Sequence, residues 1–290
     1  MSDNIKYMVT GASGQLGALV IDSLLETLPA SEIGALVRRE EAAAPLRAKG
    51  ITVRLASYDD EAALSEAFKG VDRLLLISSS EVGKRAAQHA NVISAAKSAG
   101  VGFIAYTSLL RADTSPLTFL AEEHVATEKT LKASGLHYAI LRNGWYTENY
   151  VMGAATAIEH GALLGAAGDG RISSATREDY ARAAATILSG DLPEDNAVYE
   201  LAGDDAYTLA EFASAISEFS GKPVTYSPLS QDDYKATLEQ VGLPAPIADM
   251  LSNSDAGAAK GGLFSEDNTL SQLIGRPTTP WKETLNAALA

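Results

Sequence analysis

The sequence predicts an α/β fold: an open, doubly wound parallel sheet with a smaller carboxyl-terminal lobe. Three observations predict it. Six short apolar runs alternate with amphipathic stretches through the first half, a glycine-rich turn joins the first run to the first helix, and the alternation breaks down after residue 143. Parallel neighbours need crossovers of a dozen or more residues, usually helical, and this rhythm supplies them.

The first strand is expected over residues 7–10 and ends in glycines. Residues 15–28 follow as a helix, since Leu16, Val20, Leu24 and Leu28 recur at steps of four and form one apolar face. A second strand is expected over 33–37, an Ala-rich helix over 40–49, and a third strand over 52–56. Asp59 and Asp60 offer N-caps for a helix over 61–68. The aliphatic run 74–77 reads as a central strand buried on both faces. A loop at 78–81, a helix to Ala99, a strand over 103–107, a helix over 119–134 and a strand over 138–142 complete the first half.

Beyond this, shorter pieces are expected at 150–160, 177–188 and 198–201. Thr208 with Glu211 three residues on forms a capping box, and Pro280 after Thr279 opens the last helix. The expected division is a dinucleotide-binding Rossmann domain over 1–150 and a mixed α/β substrate lobe over 151–290, with 172–190 packing back on the first.

Composition narrows the function classes. The chain has 290 residues, 46% of them hydrophobic and 21% charged, as in an ordinary globular protein. Its 37 acidic against 23 basic residues give a net charge of −14, which opposes contact with nucleic acid. Cysteine is absent, so disulfides, thiolate metal sites and a cysteine nucleophile are excluded. His89, His124, His137 and His160 show no metal-ligand spacing, and no metal site is expected. No apolar stretch is long enough to cross a membrane and no secretory leader pattern opens the chain, so a cytoplasmic protein, monomer or homodimer, is the expectation.

The turn Gly11-Ala12-Ser13-Gly14-Gln15-Leu16-Gly17 lies between the first strand and the first helix. Gly11 permits the tight turn, Gly14 lets the backbone approach a pyrophosphate, and Gly17 allows close helix packing. Free amides at the helix start bind phosphate oxygens. An acidic residue at the end of the second strand would bind a ribose hydroxyl; this chain has Arg38 and Arg39 there. A guanidinium pairs with a 2′-phosphate, which favours NADPH; a solvated Arg pair beside Glu40 and Glu41 is the alternative.

The helix after Ser108 lacks a Tyr-x-x-x-Lys acid and instead places His124 and Glu128 four residues apart on one face. His124 is a weak proton-donor candidate beside Tyr146 and Asn143, a helix-stabilising His–Glu pair being the alternative; Tyr106 is expected to pack within the sheet. A missing strong acid suits a quinone, whose reduction by hydride leaves a stable aromatic phenolate, or else a nucleotide sensor without turnover. The aromatic cluster Trp145 to Tyr150 follows the sixth strand, at the sheet edge where nicotinamide and a flat substrate are expected to meet.

The segments VTGASGQLG, RLLLISSSEVG, FIAYTSLLRADTSP, LRNGWYTENY, GAAGDGRISSATREDYA and SDAGAAKGGLF resemble the NmrA-like atypical short-chain reductases, and among them the type 2 NADPH:quinone oxidoreductases. The resemblance spans nearly the whole chain. It implies flavin-free, metal-free reduction of a small-molecule quinone with NADPH. It also implies cofactor contacts at Gly11, Ala12, Ser13, Gly14, Gln15 and Leu16, at Arg38, at Ser78, Ser79 and Ser80, and at Asn143, Gly144, Trp145, Tyr146, Thr147 and Glu148. Gly17 is retained on packing grounds. The triphenylmethane-dye and azo-type reductases, and the NADP(H)-sensing NmrA regulators, remain alternatives. Gly257, Gly261 and Gly262 raise the expectation of a mobile cover over 252–268.

Overall fold

A computed structural model describes residues 5–290. Its main sheet contains β1 (Tyr7–Val9), β2 (Ile33–Val37), β3 (Thr52–Leu55), β4 (Arg73–Leu76), β5 (Phe103–Leu109), β6 (His137–Asn143) and β8 (Ala197–Leu201), in the order β3-β2-β1-β4-β5-β6-β8. The pairs β1–β2, β1–β4, β2–β3 and β4–β5 are parallel, with Tyr7 opposite both Ile33 and Arg73. The order runs outward in both directions from β1, so the strand switch falls beside the glycine turn, where open α/β sheets bind ligands.

The sheet has seven strands rather than the expected six. The extra strand is Ala197–Leu201, which reads as an isolated piece because only its end residue is buried. The stretch 40–49 is also broken: a 3₁₀ turn Glu40–Ala42 precedes a short helix Ala44–Ala48. Pro45 accounts for the break, since it fits a first helical turn but not a helix interior.

Two compact units divide the chain. The first holds Met1–Ser108, Glu123–Arg142 and Arg177–Tyr199; the second holds Leu109–Glu122, Asn143–Thr176 and Glu200–Ala290. Within the first, Met8, Leu74, Leu76, Val92, Ile104 and Ile140 are fully buried. Burying each aliphatic side chain is worth about 1.5–3 kcal/mol. Helix Arg177–Ser189 packs on helix Gln15–Leu25 in this unit, and Arg182 pairs with Glu26 at 3.0 Å.

Within the second unit, β7 (Ala162–Gly165) and β9 (Thr225–Pro228) form a parallel two-stranded sheet. The Thr208 capping box is present: its hydroxyl accepts from the Glu211 amide at 3.2 Å, and the Glu211 carboxylate accepts from the Thr208 amide at 2.8 Å. Among the described residues, no helix is long and apolar enough to cross a membrane.

Candidate cofactor site

In the first unit, β1 runs through Thr10 into Gly11, whose φ of +58° lies in the left-handed region that glycine adopts freely. Gly14 then caps helix Gln15–Leu25, its amide donating to the Gly11 carbonyl at 2.9 Å. A Cβ on Gly17 would stand 2.4 Å from the Gly11 carbonyl oxygen and 2.8 Å from the Ala12 Cα, so no other residue fits without moving backbone. The helix carries no acid in its first turn. Its leading amides have no intrahelical partner and the positive end of its dipole is not neutralised internally. This donor set and the glycine cradle fit a dinucleotide pyrophosphate.

Side chains line the ends of the neighbouring strands. Thr10 Oγ1 accepts from the Ile77 amide at 3.0 Å, Thr107 Oγ1 from the Ser78 amide at 2.9 Å, and His89 Nε2 from the Ser79 amide at 2.9 Å. Tyr58, three residues beyond β3, donates to the Ile77 carbonyl at 3.0 Å and also meets Thr10. Three consecutive amides beyond β4 are therefore consumed by the fold. Thr10, Tyr58, His89 and Thr107 escaped the sequence reading. Their one signal was position, as polar residues at or near the carboxyl ends of β1, β3 and β5 and on the helix after β4.

Arg38 follows β2 directly. It pairs with Glu81, and Glu81 also accepts from Lys84 Nζ at 3.3 Å. Lys84, opposed by a little burial and helped by Arg38, holds the Glu81 carboxyl below its usual range. Glu40 pairs with Arg47. More than half of the Arg38 side chain is exposed, at the strand end where a 2′-phosphate would be met.

The helix Thr118–Ala133 corrects the expected His124–Glu128 pairing. Glu128 turns to Arg142, with Nε at 2.9 Å and Nη2 at 2.7 Å, and accepts from Ser108 Oγ at 2.7 Å. Burial raises the Glu128 carboxyl, but these hydrogen bonds and the Arg142 charge outweigh it and hold it low. His124 Nδ1 meets the Tyr106 hydroxyl at 2.7 Å, with both groups buried. Burial, with Arg85 and His89 nearby, pushes the His124 imidazole down to about 3. Neutral and bonded to Tyr106, the His124 ring lacks the charge of a cationic proton donor. Tyr106 is fully buried, and burial pushes its phenol up.

In the second unit, Asn143 ends β6, and its carbonyl accepts from the Leu110 amide at 2.9 Å. Its buried Oδ1 has no hydrogen-bond partner among the described residues, and such an atom calls for one supplied from outside. The Gly144 amide donates to Leu201, and the Ala175 amide donates to the Trp145 carbonyl at 3.1 Å. Thr147 Oγ1 meets Ser174 Oγ at 2.8 Å. Tyr146 pairs with Ala175 as a parallel bridge, and Glu148 sits in helix Thr147–Val151. Tyr150 donates to Asp255 Oδ1 at 3.0 Å, and Asp255 Oδ2 accepts from the Ala166 amide at 2.9 Å. Three segments that carry the family resemblance are thus bonded to one another.

The stretch 252–268, the expected mobile cover, is built as follows. Residues Ala245–Ala258 are helical, and Arg111 Nη2 donates to the Gly261 and Phe264 carbonyls, each at 2.6 Å. Gly257 and Gly262 pack on Leu117, where a Cβ would come within 2.7 and 2.4 Å. These two glycines allow close packing. Among the described residues, no three His, Asp or Glu side chains gather as metal ligands.

The structure thus brings Gly11–Gly17, Arg38 and Ser78–Ser80 to the carboxyl ends of adjacent strands in one unit, and places Asn143–Glu148 in the other. A family model described as NAD(P)H-binding matches residues 11–191. Quinone oxidoreductase 2 of Escherichia coli K12 is 60% identical over 278 residues, covering 96% of each chain. The crystal structure of the E. coli NADPH-dependent quinone oxidoreductase QOR2 complexed with NADPH superposes with a TM-score of 0.95 at 58% identity, over 98% of this chain and 100% of that one. The triphenylmethane reductase of Citrobacter sp., complexed with NADP(H), gives 0.93 at 40% identity over 98% and 100%. An NmrA-like family domain-containing oxidoreductase of Aspergillus flavus is 28% identical over 98% of this chain and 95% of its own. The chain belongs to the NAD(P)H-binding family, in the NmrA-like branch that includes quinone oxidoreductase 2.

Proposed function

We propose that this chain reduces quinones with NADPH by hydride transfer, without flavin or metal. The observation that carries the reading is the Gly11–Gly17 turn heading a helix free of first-turn acids, with Arg38 at the next strand end, in a chain 60% identical to a quinone oxidoreductase. In this reading the amides around Gly14 to Leu16 grip the pyrophosphate, Arg38 pairs with the 2′-phosphate, and Ser78, Ser79 and Ser80 line the dinucleotide. Asn143, Gly144, Trp145, Tyr146, Thr147 and Glu148 are the second unit's contribution.

NADPH, when bound, supplies the hydride. The protein's part is orientation and the exclusion of water, because the reduced quinone bears its charge as an aromatic phenolate and needs no strong acid beside it. The buried Asn143 carboxamide is the candidate to orient a polar group there; Tyr146 is a further weak candidate for proton donation. His124, neutral and spent on Tyr106, holds the helix rather than the substrate. We place this activity in the cytoplasm, with a small-molecule quinone as the substrate.

Mixing purified protein with NADPH and a benzoquinone tests the reading: NADPH absorbance is expected to fall well above the protein-free rate. No loss above that rate overturns it and favours a sensor without turnover. The likeness to the Citrobacter enzyme supports a second reading, dye reduction, which a triphenylmethane dye in the same assay tests.

A further inference from the structure

We propose that His89 is a positioning residue for cofactor binding: through the Ser79 amide it fixes the segment Ser78–Ser80 in the conformation that receives the dinucleotide. The proposal rests on the reading of that segment as a cofactor contact.

The argument begins with protons. A backbone amide can only donate, so the 2.9 Å contact from the Ser79 amide makes His89 Nε2 an acceptor. The ring proton therefore sits on Nδ1 and points to Thr127 Oγ1 at 2.9 Å. Thr127 passes its own hydroxyl proton to the Glu123 carbonyl, also at 2.9 Å. The line from Ser79 to Glu123 is complete and directional, and it is satisfied only by the neutral ring with its proton on Nδ1. Its surroundings enforce that form: His89 is fully buried, and burial and the neighbouring Arg85 push the imidazole down to about 3.

Ser79 is held from its other side as well. Arg85 lies one helical turn before His89 on helix Arg85–Ala99, and its Nε donates to the Ser79 carbonyl. The two side chains share a helix face and grip both polar groups of one residue, which sets its φ and ψ together. Glu123 secures the clamp at its base: one carboxylate oxygen accepts from the Gly83 and Arg85 amides, each at 3.0 Å, where the helix begins. With the Ser78 amide spent on Thr107 and both Ser79 backbone groups spent on the helix, none of these three backbone groups is left for a ligand, while the serine hydroxyls of the segment can still donate.

The test uses His89→Leu, His89→Gln and Thr127→Val in the full-length protein. Gln keeps an acceptor and a donor on one planar group; Leu keeps neither; Val removes the acceptor that fixes the ring's tautomer. Amide hydrogen exchange at Ser79 without cofactor reads the clamp itself, while KM for NADPH and kcat read its consequence. In H89L the Ser79 amide is expected to exchange at least about tenfold faster and KM for NADPH to rise about tenfold, with kcat within about twofold. H89Q is expected to restore both, and T127V to fall between. Unchanged Ser79 exchange in H89L and T127V overturns the clamp. Faster exchange with unchanged KM shows instead that Ser78–Ser80 does not contact the cofactor, which overturns the underlying reading and the proposal with it. Should H89L fail to fold, T127V decides: exchange and KM equal to wild type contradict the proposal.

Discussion

The Gly11 carbonyl oxygen stands 2.4 Å from the place a Cβ on Gly17 would occupy. The two residues bracket the turn that carries the proposed pyrophosphate site, and both sides of the contact are backbone-rigid. Gly17→Ala is therefore expected to destabilise the fold by about 1–3 kcal/mol and to weaken NADPH binding about tenfold or more. Thermal unfolding and a fluorescence titration check this. Wild-type values for both would show that the turn tolerates a side chain.

Arg38 stands directly at the end of β2 and pairs across to Glu81 in the loop after β4. Charge-assisted bonds to a 2′-phosphate are worth about 1.5–3 kcal/mol, so Arg38→Ala is expected to weaken NADPH about tenfold to a hundredfold and NADH about twofold at most. Dissociation constants for both cofactors decide; equal losses would remove Arg38 from the 2′-phosphate site.

Glu128 and Arg142 are each nearly inaccessible, with 3% and 7% of their side chains exposed. Glu128→Ala takes from the buried Arg142 guanidinium the carboxylate that faces it through two hydrogen bonds, and it is expected to cost about 3–5 kcal/mol. Lys132 reaches the same carboxylate from solvent, and Lys132→Ala is expected to cost about 0.5 kcal/mol or less. Denaturant unfolding of the two variants separates these roles; similar losses would contradict the buried-pair assignment.

The buried histidines set a pH dependence. His89 and His124 ordinarily titrate near 6.5, but burial holds both near 3 in the fold. Between those values the unfolded chain binds more protons at these sites, so their contribution is full above pH 6.5 and is lost as pH falls toward 3. Asp255 runs the other way: burial raises its carboxyl from 3.8 to about 6, and the folded chain binds the extra proton between them. Two histidines against one aspartate, with the lowered Glu128 carboxyl acting in the same direction as the histidines, leave stability falling as pH falls from 6 to 4. Unfolding free energies at pH 7, 6 and 5 test the sign, and stability that rises toward pH 5 would contradict it.

The first half was legible in sequence because each strand there is a short aliphatic run and each crossover an amphipathic stretch. The piece expected at 198–201 was legible as an element but not as a strand of the main sheet, because an edge strand with one buried end carries little periodicity. In the site, the glycines and Arg38 announced themselves by spacing. The partners of Glu128 did not: Arg142 lies fourteen residues away on strand β6, while His124 lies at the helical spacing that local reasoning favours. His89 was hidden for the same reason, since its role is defined by Ser79, which only the fold brings beside it.

Calorimetric titration of NADPH into the purified protein is the most direct test of the whole account. Saturable one-site binding is predicted, weakened by Arg38→Ala and by Gly17→Ala. No saturable binding at two temperatures, with correctly folded protein, would contradict it.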